Sequence, residues 1–354
     1  MMQFCWCLLL GAVLSADVAA FAQTPAPTTP AQPTSPATPA SATTPALAAF
    51  QTALAKLAQM TPLEAQFRFT NRGGAGLPVE YQGRCLWMPG RKVRYELQVR
   101  QGDLTATTRM VCDGKQHWRW VELDGKRTGQ TFQLADLDLA LSLIALDVLA
   151  PRHQGRFKTE LEQEYGFAGI LPPLQDVAEK IAFDPAVSET TLAMPERGTV
   201  PVIVLRGTWK KQVLEKIAPV KPANAPPQAP DYAAAWAQRQ NWVGFPRRCL
   251  VYLDKGTGLP VRLEWFGPER REGEEVLLMR QDYLAFTSVA AAQAEPRFTL
   301  AAADQQQVEW KTLTPDELRE QLNLRRQLLQ EANRAEENLA RQRAREADKD
   351  AQKP

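Results

Sequence analysis

Val93 to Arg100 alternate without a break: Val93, Tyr95, Leu97 and Val99 share one parity, and Arg94, Glu96, Gln98 and Arg100 the other. Successive side chains of a strand point to opposite faces, so this segment fits a sheet that is dry on one side and wet on the other. A helix would spread the same charges around its circumference. Turn signals frame the run. Pro89-Gly90 precedes it, after a strand in which Tyr81, Cys85 and Trp87 share a parity. Gln101-Gly102-Asp103 follows it, then a strand from Leu104 to Cys112. Asp113-Gly114 is a hairpin turn signal, and Gln116 to Val121 follows with Trp118 and Trp120 on one face.

More strands are expected later. Leu63 opens a strand that Gly73-Gly74 breaks, and Leu192 and Val200–Trp209 also read as strands. Arg248–Leu253 and Leu259–Phe266 read as a hairpin across Asp254-Lys255-Gly256-Thr257-Gly258, whose glycines supply the positive-φ positions. Val276–Phe286 is the next strand, and Phe298-Thr299-Leu300 a last short one. Helical spacing predicts a helix over 46–60, with Leu47, Phe50, Leu54 and Leu57 as its stripe and Pro62 at its end. Residues 136–150 are apolar nearly all round, which implies a buried helix stopped by Pro151. Residues 173–182 read as a second helix or as a short strand at 180–183.

The ends differ in composition. Residues 1–22 read as a signal peptide: an apolar run from Phe4 to Leu14 is too short to span a bilayer, and Ala20-Phe21-Ala22 fits a cleavage site. Cys5 and Cys7 open that run rather than close a lipobox, so no lipid anchor is expected. The destination is periplasmic or otherwise extracytoplasmic. Residues 23–45, rich in Pro, Thr and Ala, read as a disordered linker, and 219–230 as a Pro/Ala surface insertion near a short helix at 232–240. The folded domain is placed at 46–310. Residues 311–354 read as a charged helical tail, either a solvated single helix or a partner-binding arm.

Little in the chain suggests chemistry. Net charge is +2 over 354 residues, which points to no nucleic acid. His117 and His153 are the two histidines; neither has a partner at metal-ligand spacing, and no metal or cofactor is implied. His117, opposite in parity to Trp118 and Trp120, is expected to face water, and His153 to lie in a loop. Glu160, Glu162 and Glu164 read as a charged loop or edge strand. No nucleophile elbow, P-loop or dinucleotide fingerprint occurs, so the chain reads as a non-enzyme. After signal cleavage Cys85, Cys112 and Cys249 remain, an odd number, with Cys85 and Cys112 on strands separated by a third.

Three segments carry a family resemblance: G-R-C-L-W-M-P-G-R-K-V-R-Y at Gly83–Tyr95, D-G-K-x-x-W at Asp113–Trp118, and D-x-x-T-G-L-P-V-R at Asp254–Arg262. With the exported N-terminus and the first amphipathic helix, residues 46–300 resemble the LolA/LolB-like superfamily of periplasmic lipoprotein carriers. The resemblance implies an α+β fold, a curved antiparallel β-sheet forming an open half-barrel covered by helices. It implies a hydrophobic cavity that takes a lipid or the acyl chains of a lipoprotein, with transient membrane contact. Trp87, Tyr95, Leu97, Val99, Trp118, Trp120, Leu141 and Ile144 are its candidate lining residues. The bland reading of these aromatics is ordinary core. Dedicated carriers tie a strand arginine to the lid helix; Arg94 is the position to compare, although its parity opposes the apolar face. The alternative reading is a structural or sensory module that docks a protein partner on its C-terminal helix.

Overall fold

The alternating segments pair into one open, curved and mostly antiparallel sheet. The computed structural model describes residues 44–72, 78–149, 151–210, 213, 246–268 and 275–331. The expected signal peptide, nearly all of the linker, the insertion at 219–230, the helix at 232–240 and the tail beyond 331 lie outside the described residues. Thirteen strands are present among these residues: β1 Leu63–Asn71, β2 Val79–Met88, β3 Lys92–Gln101, β4 Leu104–Asp113, β5 Gln116–Leu123, β6 Lys126–Gln133, β7 Ile181–Phe183, β8 Ser188–Met194, β9 Gly198–Trp209, β10 Arg248–Asp254, β11 Pro260–Pro268, β12 Glu275–Ser288 and β13 Glu309–Thr312. Their order is β13-β6-β5-β4-β3-β2-β1-β12-β11-β10-β9-β7, with β8 also on β9. Neighbours are antiparallel except β13, which runs parallel to β6. Trp310 of β13 lies so close that a Cβ on Gly129 of β6 would stand 2.7 Å from its ring.

One face of the sheet is covered by helices. Helix α1 (Pro45–Gln59) starts with Pro45 in its first turn and Thr44 capping the Leu47 amide. It buries Ala46, Phe50, Ala53 and Leu57 at spacings of four, three and four, while Leu47 and Leu54 flank that stripe. Helices α2 (Leu134–Ser142), α3 (Pro151–Glu164) and α4 (Leu171–Lys180) add Leu137, Phe157 and Leu174 to the same core. The other face, called open here, is polar along its middle and covered at two places. The β8–β9 hairpin packs Met194 and Val202 on Val261. The segment with α5 (Ala291–Ala294), a 3-10 turn (Glu295–Phe298) and α6 (Ala302–Gln307) packs Phe298 on Leu86 and Val308 on Val111 and Trp120.

Several expectations are corrected. The apolar run 136–150 is not one helix: α2 ends at Ser142, turns follow, and Pro151 begins α3. A proline lacks an N–H, which costs nothing at a helix start. His153, Glu160, Glu162 and Glu164 therefore lie on a helix. Phe298 closes the 3-10 turn, not a strand. Residues 171–183 satisfy both alternatives, a helix and then β7. The helix at 315–331 is solvated on one side only: Leu318, Leu322 and Leu329 are buried in the main core. Arg325 of that helix pairs with Glu164 and, at 3.9 Å, with Glu160 on α3.

Candidate functional site

The apolar layer between the sheet and its helices is the candidate site. The strands supply Phe67, Tyr95, Leu97 and Trp265; the helices supply Phe50, Leu137 and Phe157. Rings meet across it, Phe50 edge-on to Phe183 at 5.6 Å and Trp209 stacked on Trp265 at 5.5 Å. Six of the eight expected lining residues come together here. Tyr95, Leu97 and Ile144 are buried, and Trp87, Val99 and Leu141 are half-buried against the same cluster. Among the described residues the layer holds the protein's own side chains.

Trp118 and Trp120 do not join them. Both pack on the open face with Val111, Val308 and Trp310. The β4–β5 hairpin pairs Trp118 with Val111, whose parity opposes that of Met110 and Cys112. His117 takes the inward place instead, which corrects its expected exposure. It is fully buried, stacked on Phe132 at 4.8 Å and met edge-on by Tyr165 and Phe167. Neither ring nitrogen has a well-formed hydrogen bond. Burial pushes the imidazole down to about 3, nearby Arg119 adds to the shift, and the Tyr165 backbone offsets it only partly. A neutral ring sealed among aromatics is placed as a core residue.

Cys85, Cys112 and Cys249, the cysteines among the described residues, are free and buried. Cys85 and Cys112 both pair with residues of β3, which separates their strands as expected. Burial pushes the Cys85 thiol up to about 12 and Cys112 up to about 11; Cys249 rises well above its ordinary value for the same reason.

Helix α2 and the turns after it are apolar on both sides. It buries Leu134, Leu137 and Ala140, but Leu139, Leu143 and Val148 of the same segment stand 51%, 57% and 45% exposed. Its Leu134 amide donates to the Lys115 carbonyl in the β4–β5 turn at 2.6 Å, and an ion pair that the sequence reading missed joins it to the β2–β3 turn, where Arg91 donates to Asp138 at 2.7 Å. Both partners are about half exposed, so the pair contributes about 0–1 kcal/mol. Arg94, the residue singled out for comparison, lies on the open face and donates to the carbonyl of Arg297. The turn after α3 is pinned more firmly. The Trp87 indole N–H donates to the Phe167 carbonyl at 2.6 Å, and Gly169, at φ +63°, lies against that indole where a Cβ would sit 2.9 Å away.

The open face carries a charged network. Arg262, Asp282 and Glu264 are buried there. Arg262 pairs with Asp282, and Glu264 accepts from Arg280 at 2.9 Å and from the Tyr252 hydroxyl at 2.7 Å. Buried charges are stable only when paired in this way.

No family model matches the chain, and no curated protein does. Solved structures do. MucB in complex with MucA(peri) is 15% identical over 72% of this chain and 60% of that one, with a TM-score of 0.30. LprF from Mycobacterium bovis is 9% identical over 70% and 94%, at 0.34. A domain from Vibrio parahaemolyticus provisionally described as an outer membrane lipoprotein-sorting protein is 10% identical over 70% and 98%, at 0.20. The chain spans less than two thirds of the MucB chain. These likenesses are distant.

Proposed function

We propose that this chain is a non-enzymatic, extracytoplasmic binding protein that takes a lipid or the acyl chains of a lipoprotein into the layer between sheet and helices. The supporting observation is the cover. The segment 134–149 is apolar on both sides, Leu137 and Ile144 inward and Leu139, Leu143 and Val148 outward. Outward leucines suit a surface that meets a membrane or a lipidated cargo. The Arg91–Asp138 pair adds little resistance, so lifting the segment costs chiefly the exposure of Leu134, Leu137, Ile144 and Leu149. Each methylene taken from water contributes about 0.8 kcal/mol. Ten methylenes supply about 8 kcal/mol, the free energy of a micromolar complex, before the cost of displacing Ile144 and its neighbours.

Native mass spectrometry of the gently purified protein, with displacement of a fluorescent fatty acid, tests the reading. Copurified lipid and a bound probe are expected, with faster probe entry in Arg91→Ala. A chain that never carries lipid and ignores the probe sinks it.

A further inference from the structure

The open face holds a groove that acyl binding does not use, of about 1010 Å³. Its floor is two adjacent cross-strand rows. One runs Gln98, Gln82, Arg68, Asp282, Arg262 over β3, β2, β1, β12 and β11. The next runs Arg100, Glu80, Thr70, Arg280 over β3, β2, β1 and β12, with the buried Glu264 next in register on β11 but outside the lining. Neighbouring strands stand about 4.8 Å apart, so the first row is roughly 19 Å long. The end of β8 walls one side, and Glu196 beyond it reaches Arg68 at 3.7 Å.

The charges of the floor divide into two groups. The two arginines of the buried network are matched by its two carboxylates. Arg72 and Arg100 lie at the mouth, both exposed, with no carboxylate at ion-pair distance among the described residues. Glu80 is the opposing charge, and Thr70, Gln82 and Gln98 add neutral donors and acceptors. The strands beneath are interior to the sheet, so their backbones have no free edge for an extended peptide to pair with. A long trough of guanidinium, amide and hydroxyl groups suits a ligand that is both polyhydroxylated and anionic.

We propose that this groove binds an anionic saccharide, with carboxylate or sulfate groups on Arg72 and Arg100 and sugar hydroxyls on Thr70, Gln82 and Gln98. Guanidinium pairs well with either oxyanion. Calorimetric titration of the full chain with trigalacturonate, a heparin-derived tetrasaccharide, maltotriose and inorganic sulfate tests this. At least one of the two anionic saccharides is expected to bind, more weakly as salt rises. The one that binds identifies the anion. The Arg72→Ala/Arg100→Ala double variant is expected to lose at least tenfold in affinity, and Arg319→Ala, at an exposed site on the C-terminal helix, none. If the double variant loses its cooperative melt, Arg100→Gln alone is to show the loss. The proposal is overturned if neither anionic saccharide binds at about 1 mM, if maltotriose or sulfate binds equally well, or if the arginine variants keep full affinity. The acyl layer is on the opposite face, so such a failure leaves the lipid reading standing.

Discussion

Replacing His117 with phenylalanine should remove most of the chain's sensitivity to mild acid. Unfolded, the imidazole titrates near its ordinary value of 6.5; folded, burial holds it at about 3. Between those values the unfolded chain carries a proton that the folded chain refuses. Stability from this group is therefore complete above about pH 6.5 and falls by about 1.4 kcal/mol per pH unit below it, towards the folded value. From about pH 7.5 to about pH 5 the loss is about 2 kcal/mol. The groups around the ring add no competing charge change in that window. Cys112, opposite on β4, and Tyr165 both titrate far above it, and Arg119 stays protonated. Glu64, Glu96 and Asp254 are held below their ordinary carboxylate values and respond only at lower pH. Urea unfolding at the two pH values reads the slope in each protein. The wild type should lose about 2 kcal/mol and His117→Phe under about 0.5 kcal/mol. The comparison does not depend on the absolute stability of the variant, which a ring slightly too large would lower. Equal slopes in the two proteins, or a flat wild type, would refute the burial argument.

Two further outcomes follow from the packing. Leu322→Ala should cost about 2–5 kcal/mol in a denaturant midpoint, because Leu322 is 2% exposed in the main core. Leu324→Ala, at a site 55% exposed, should cost less than about 0.5 kcal/mol; equal effects would mean that the helix is not docked. Iodoacetamide should leave Cys85, Cys112 and Cys249 unmodified in the native protein and alkylate all three in guanidinium, as read by peptide mass mapping. Rapid native labelling of any of them would contradict its burial.

Much of the sheet was legible because alternation and turn chemistry are local. Val93–Val99 and the Asp254–Gly258 hairpin fall where their residues put them. Strand β6 escaped notice because Phe132 is its one large apolar residue; the signal available was Asp124-Gly125, a turn pair just after β5. Strand β13 could not be read at all, since four residues carry no period and their partner lies far back in the chain. The site was half legible. Parity sorts residues within one strand, but joining the faces of two strands needs their register. That is why Trp118 and Trp120 were grouped with Tyr95, and why His117 was turned outward. The Arg91–Asp138 pair joins a turn to a helix across unrelated segments, and no spacing rule reaches it.

The contact of Trp310 with Gly129 has a consequence for how the molecule is made. Without β13, the outer hydrogen-bonding edge of β6 would be bare, a template for the same edge of another copy. That edge is sealed by residues synthesised after every other strand described here. During folding there is an interval in which the sheet is nearly complete and still adhesive on one side, and a chain cut short before residue 309 would stay in that condition.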